Sequence, residues 1–360
     1  MVDASPELLL STADLPGVGG SLGREPEDFQ VDEIPAYAAS GAGEHVYVRI
    51  RKRELTTRAA VGMLARAASV RERDIGYAGL KDKHAVTTQW LSLPKSPLAP
   101  ETWKLPPGLE LVEVSRHNNK LRTGHLSGNR FTIGLVGVDD AGLVRARTLL
   151  DRLARDGLYN YFGDQRFGAD RDNLSHALAW LRGTERVPRH RERFLSKLYP
   201  SVIQSEVFNR YLTLRAAHGF ETLLPGEVVR LDGTGSLFVV EEPEKEQPRL
   251  AARDIHPSGP IVGPKMRRAA RLASDLEDRA LAEAGLTSTD IEALGRHAPG
   301  TRRDLLVFPK GVEASWHGDR LKISFELPAG SYATVLIREL IRKDPRDFDA
   351  GGEPEADSED

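Results

Sequence analysis

Hydrophobic periodicity in this chain switches between two and the helical value of about 3.6 without a regular strand–helix alternation, and this limits the possible folds most. His45-Val46-Tyr47-Val48-Arg49-Ile50 alternates apolar and polar residues, the pattern of a half-buried strand. Thr56 and Thr57 then offer a helix N-cap, and Ala59, Ala60, Met63, Leu64, Ala67 and Ala68 recur at helical spacing. Val86 to Leu93 and Phe131 to Val136 read as further strands, and Ala141 to Arg155 as a helix. Beyond residue 169 helical spacing recurs over Leu174 to Leu181, Val202 to Ala217 and Arg267 to Ala284. Two short strands, Val228 to Leu231 and Leu237 to Val240, flank the turn-rich Asp232-Gly233-Thr234-Gly235, whereas Glu241 to Pro248 reads only as polar. Leu321, Ile323, Phe325 and Leu327 alternate in a last strand, and Ser331 is expected to cap a final helix with Val335, Leu336, Leu340 and Ile341 inward. Such an irregular order predicts an α+β fold.

Composition removes several chemistries. There is no cysteine, which excludes disulfides, thiolate metal sites and attack on a pyrimidine by a thiol. The histidines include no HExxH or similarly spaced pair, so no metal is expected. The glycines of Gly17-Val18-Gly19-Gly20-Ser21-Leu22-Gly23 miss the dinucleotide-loop spacing and no P-loop lysine follows; the stretch reads as a flexible turn. No apolar run approaches the ~18 residues of a membrane span, and Leu8-Leu9-Leu10 is too short for a signal core, so a cytoplasmic protein without membrane contact is expected. The formal net charge of −3 disfavours a nucleic-acid partner until its distribution is considered. Residues 344–360 carry eight carboxylates against Arg346, which leaves the rest of the chain at +4. That segment reads as a disordered acidic tail on a mildly basic body. Basic clusters fall at Arg49 to Arg53, Arg116 to Arg122, Arg186 to Arg193 and Lys265 to Arg271, each of which alone is an ordinary solvated face.

Chemistry concentrates in Gly79-Leu80-Lys81-Asp82-Lys83-His84-Ala85-Val86-Thr87-Thr88-Gln89-Trp90, a glycine-entered loop with one carboxylate between two lysines, leading into a strand. Four more strings accompany it in order: Pro26-Glu27-Asp28-Phe29-Gln30-Val31-Asp32-Glu33, Gly128-Asn129-Arg130-Phe131, Asn160-Tyr161-Phe162-Gly163-Asp164-Gln165-Arg166-Phe167-Gly168, and Leu327-Pro328-Ala329-Gly330-Ser331-Tyr332-Ala333-Thr334. Together these motifs resemble the tRNA pseudouridine synthase D (TruD) family, which isomerises uridine in transfer RNA; the last string departs from it only in Tyr332, where Phe is more usual. The resemblance implies a pseudouridine-synthase-like catalytic domain with a mixed, largely antiparallel sheet, interrupted by an inserted α+β domain. The expected division is 1–157 and 304–343 for the catalytic domain, 158–303 for the insertion and 344–360 for the tail. Periodicity alone does not bring the two ends of the chain together.

The resemblance makes Asp82 the essential catalytic carboxylate for a D-arm uridine, position thirteen of tRNA, with no cofactor. A carboxylate there can act as nucleophile or proton acceptor, and the sequence leaves attack at C1′, attack at C6 and deprotonation at C2′ open. Phe29, Asn129 and Tyr332 carry over as uridine-binding residues, with Phe131 packing the pocket, since an aromatic face stacks on a base and an amide reads its edge. Each has a plainer reading: Phe29 as core beside Val31, Asn129 as a turn residue, Tyr332 as part of a helix's first turn. Arg24 and Lys81 are the cations that could steady the carboxylate, although neighbours in an extended loop tend to point apart. The string Asn160 to Gly168 suits a tight junction where the chain leaves the catalytic domain, with Arg166 either contacting phosphate or, as the preferred reading, bracing the junction through Gln165 and Asp164. The rivals are a catalytically silent RNA-binding protein of the same fold, the same isomerisation on a different RNA, and a carboxylate-pair glycosidase for which no second motif-placed acid exists. A monomer is the expected state.

Overall fold

A computed structural model describes residues 8–95, 98–163, 166–168 and 172–342. The acidic tail at 344–360 and the residues Asp164 and Gln165 lie outside them. In the N-terminal stretch come β1 (Ser21–Leu22), β2 (Phe29–Pro35), β3 (His45–Arg53), α1 (Thr57–Ala68), β4 (Gly76–Tyr77), β5 (Val86–Leu93), β6 (Leu109–His117), β7 (Leu126–Val136) and α2 (Gly142–Asp156). The middle of the chain forms β8 (Leu158–Tyr159), α3 (Asn173–Leu181), α4 (Glu192–Ala216), β9 (Val228–Leu231), β10 (Leu237–Val239), α5 (Pro243–Ala251), β11 (Ile255–Ile261), α6 (Arg271–Glu283), α7 (Ser288–Leu294) and β12 (Thr301–Asp304). The chain closes with β13 (Leu306–Val307), β14 (Lys310–His317), β15 (Arg320–Pro328) and α8 (Ala333–Ile341).

Strands from both ends share one sheet in the order β14-β15-β7-β2-β5-β3-β6, with β1 beside β7 and β4 beside β5. The pair β2–β5 runs parallel, and the other ladders of the described sheet run antiparallel. A second sheet, β10-β9-β11-β12, belongs to the middle of the chain, and β8 pairs with β13 where the chain leaves and returns. The fold is therefore α+β, as the irregular periodicity requires.

Register places the site. Phe29, Val31 and Glu33 of β2 stand opposite Ile133, Phe131 and Asn129 of β7, which in turn face Ile323, Phe325 and Leu327 of β15. Because side chains alternate along a strand, all of these project from one face. On the same face, Val46, Val48, Ile50 and Lys52 of β3 stand opposite Leu93, Leu91, Gln89 and Thr87 of β5. One apolar core under α1 buries Val46, Val48, Ile50, Leu91 and Leu93. Another, with Leu149, Leu153, Leu336 and Leu340 from α2 and α8, buries Val31, Phe131, Ile133 and Phe325. Between the two apolar regions this face carries Lys52, Thr87, Gln89, Glu33 and Asn129, a polar seam.

Local details depart from the sequence reading at several points, three of which bear on the packing around the sheet and the middle of the chain. Thr56 caps α1 as expected, accepting from Ala59 N, but Ser331 does not cap α8. The N-cap there is Tyr332, without a side-chain bond, and Ser331 Oγ turns instead to Asn160 Oδ1 at 3.3 Å. The glycine-rich stretch at 17–23 is a packed strap, not a loose turn. Val18 is fully buried and its N–H donates to Leu340 O, and any side chain at Gly17 would collide with Arg342 Cγ. Finally, the polar segment after residue 241 folds as α5, with Pro243 in its first turn, where proline's missing N–H costs nothing.

Candidate active site

Asp82 sits in the turn between β4 and β5, and buried polar groups hold that turn from beneath. Lys52 is an inward-facing lysine of β3 with no exposed surface. Its ammonium donates to Asp82 O at 2.7 Å, to Lys81 O at 3.3 Å and to Leu55 O. Thr57, in the first turn of α1, accepts from Lys81 N at 2.9 Å and donates to Gln89 Oε1 at 3.0 Å. Gln89 Nε2 closes the circuit on Gly79 O at 3.2 Å. Each bond satisfies a group that would otherwise be buried unpaired, so the loop backbone has little freedom to move.

Lys81 is tied down from the other side. Its ammonium lies 2.9 Å from Glu33 Oε2, with side-chain exposures of 4% and 1%. The other oxygen of Glu33 accepts from Trp90 N at 3.1 Å. The β2–β5 ladder ends at Asp32 and Thr88, and Glu33 caps the strand N–H exposed just beyond it. The alternation that places Lys81 inward places Asp82 outward: its side chain is exposed and has no hydrogen-bond or ion-pair partner among the described residues. The site therefore presents a free carboxylate on a pinned backbone, with a buried ammonium beneath its carbonyl. Of the two cations expected near the carboxylate, Lys81 is engaged elsewhere, in its pair with Glu33. Arg24 is exposed, with no partner among the described residues.

The four candidate base-binding residues are all positioned by β2, β7 and the segment after β15. Phe29 is half-buried and meets Phe131 edge-on, with ring centroids 6.3 Å apart; Phe131 stacks on Phe325 at 5.4 Å. Asn129 is a mid-strand residue rather than a turn residue, and its Oδ1 is buried without a partner among the described residues. Thr87 Oγ1, on the same face, likewise has no partner among the described residues. Tyr332 is committed to a structural bond, its hydroxyl accepting from Arg166 Nη2 at 2.8 Å, while its ring meets Phe162 edge-on at 5.9 Å.

Asn160, Phe162 and Arg166 hold the outgoing and returning chain together. Asn160 N donates to Leu305 O and Asn160 Nδ2 to Asp304 O, both at 2.9 Å. The Arg303 guanidinium lies 4.3 Å from the Phe162 ring centroid and donates to Asn160 O and Gly330 O. Burial pulls its pKa down to about 10. Arg166 also donates to Ser201 Oγ at 3.1 Å.

Two residues of the site escape the sequence reading, Glu33 and Lys52. Both carry a signal, a charged residue at an inward position of an alternating strand: Phe29-Val31-Glu33 and Val48-Ile50-Lys52. Lys52 falls in a basic cluster that reads as solvated, of which it is the buried member. Among the described residues no helix is long and apolar enough to cross a membrane, and no cluster of three or more His, Asp or Glu is arranged to hold a metal.

This geometry can be set beside known proteins. The family model for tRNA pseudouridine synthase D (TruD) matches residues 7–183 and 180–340. The tRNA pseudouridine synthase D of Anaeromyxobacter dehalogenans strain 2CP-C is 48% identical over 344 residues, spanning 94% of this chain and 97% of that protein. One from Thermus thermophilus is 39% identical over 341 residues, spanning 93% and 92%. In fold, the solved structure of the Methanosarcina mazei protein assigned to the same name superposes with a TM-score of 0.71 at 23% identity, over 94% of this chain and 96% of that one. The motifs, the shared sheet and these likenesses agree: the chain belongs to the tRNA pseudouridine synthase D family, whose members are isomerases.

Proposed function

We propose that this protein isomerises a D-arm uridine of tRNA, position thirteen, to pseudouridine, with Asp82 as the essential carboxylate. The observation that carries the proposal is that carboxylate, without a partner among the described residues, on a backbone held by Lys52, Thr57 and Gln89. A group that must meet a reacting sugar and base has to be unpaired yet positioned, and positioning of that kind accounts for much of a catalyst's advantage. The reaction breaks N1–C1′, turns the uracil and rejoins it through C5. It is redox-neutral, so electron-transfer chemistry is not needed. Asp82 serves as nucleophile or as proton acceptor at the ribose, and the three routes at C1′, C6 and C2′ share this requirement.

Phe29 and Phe131 form one wall of the base site in this reading. Asn129 reads the uracil edge, its unpartnered Oδ1 accepting from the base's imino N–H. Tyr332 closes the site by its ring, its hydroxyl being held by Arg166. Arg24, exposed and without a partner among the described residues, is the cation left to steady the carboxylate, and Lys81 acts through the backbone it anchors. Residues 158–303 form the inserted domain, and the protein works as a cytoplasmic monomer with tRNA as its partner and without a metal or cofactor.

The test is Asp82→Asn, which keeps the shape and removes the charge. Carbodiimide mapping of tRNA incubated with the purified variant should show no new pseudouridine, while tRNA affinity stays within a few fold of the parent. Turnover surviving in the variant would sink the assignment.

A further inference from the structure

The outer face of the sheet holds a concave feature apart from the Asp82 loop. Tyr47 and Trp90 point away from Ile50 and Gln89, because they occupy the other parity of β3 and β5. With Tyr37, His125 and Glu113 they line a cavity of about 200 Å³, and Glu33 contributes to its wall. The aromatic rings are fixed by each other and by hydrogen bonds. Tyr37 stacks on His117 with ring centroids 5.0 Å apart, and its hydroxyl lies 2.8 Å from His125 Nδ1. Tyr47 donates to Asn119 O at 2.8 Å, and Trp90 tilts against it with centroids 6.3 Å apart. None of these groups is used by the chemistry assigned to Asp82.

We infer that this cavity is a subsite for an unstacked nucleobase of the RNA substrate. Three properties support that ligand class. The walls are rigid aromatic rings, whose faces accept the π-face of any base. The polar groups that line it, Glu113, Ser115 and the tyrosine hydroxyls, are mostly acceptors or hydroxyls, which suits the amino and imino edges of a base and repels a phosphate. The cavity also shares a residue with the catalytic loop: Glu33 accepts from Trp90 N in its wall and pairs with Lys81 beside Asp82. A base seated against Trp90 would therefore press on the strand that carries the loop. The inference rests on the proposed function for its RNA substrate, but its test reads binding and not turnover.

The experiment uses full-length Asp82→Asn protein and tRNA transcripts with single abasic sites, one for each unpaired nucleotide. Stacking of one base on aromatic side chains is worth roughly 5- to 100-fold in affinity. One abasic position should lose that much with the parent protein and nothing further with Trp90→Leu added, the signature of two changes that remove the same contact. If Trp90→Leu impairs folding, as circular dichroism would show, Tyr37→Leu on the half-buried segment after β2 carries the same cycle. Variants that bind every transcript as the parent does would overturn the inference. So would losses that simply add at every position. Either failure leaves the isomerisation result for Asp82→Asn intact.

Discussion

Replacing Glu33 by Gln tests whether the buried pair with Lys81 holds the turn that carries Asp82. Gln keeps the size of the side chain and an oxygen for Trp90 N, and removes only the charge. At the observed 2.9 Å, with 1% and 4% of the two side chains exposed, the pair lies in the buried regime, where an effective dielectric near 20 gives an attraction of about 6 kcal/mol. Desolvation offsets part of that, but removing one partner leaves the other ammonium buried and uncompensated, which costs about 3–5 kcal/mol. An exposed pair would lose only about 0–1 kcal/mol. Urea denaturation followed by circular dichroism should therefore show Glu33→Gln destabilised by about 3 kcal/mol or more. Adding Lys81→Met should recover at least half of the loss, because both charges are then absent. With the loop less constrained, turnover should fall by more than tRNA affinity. A cost below about 1 kcal/mol with no coupling between the two positions would show that the pair is screened by solvent, and the account of the pinned loop would fail.

Asn129→Ala should leave the urea midpoint unchanged or raise it, because a buried unpaired acceptor costs about 1–3 kcal/mol in the folded protein; turnover should fall sharply, and a clear loss of stability would show the amide to be structurally bonded. Asp290 has its carboxyl pulled down to about 2, chiefly by the Arg182 guanidinium, with burial opposing. Since its folded pKa lies below the unfolded one, the stability it contributes is present above about pH 4 and lost as pH falls toward 2. Asp290→Asn should flatten the stability–pH curve in that window, and an unchanged slope in acid titrations followed by circular dichroism would contradict this. Deleting residues 344–360 removes eight carboxylates and one arginine, so tRNA affinity in filter binding should stay equal or rise, with the gain at low salt where the Debye length exceeds ~10 Å. A truncated protein that binds much more weakly at every salt would make the segment part of the RNA site or the fold.

What the sequence determined on its own was local structure and chemical identity. Thr56 and the helical spacing after it were enough for α1, because capping and one apolar face involve only neighbours in the chain. The alternation of Leu321, Ile323, Phe325 and Leu327 was enough for β15, and five motifs in order, the string around Asp82 among them, were enough to name a family. Glu33 and Lys52 were legible in principle as charges at inward strand positions, but parity does not say what a buried charge meets. Only the tertiary structure decided that Lys81 pairs with Glu33, 48 residues away, and that Lys52 lies beneath Asp82. It also decided that β15 pairs with β7 across almost two hundred residues, and that the strap at Gly17 packs against the end of α8. Local pattern reports how a segment partitions between water and an apolar core. Which two segments then meet depends on backbone hydrogen bonds that every residue can make, so the partner is chosen by the packing of the whole chain and leaves no mark in either segment alone.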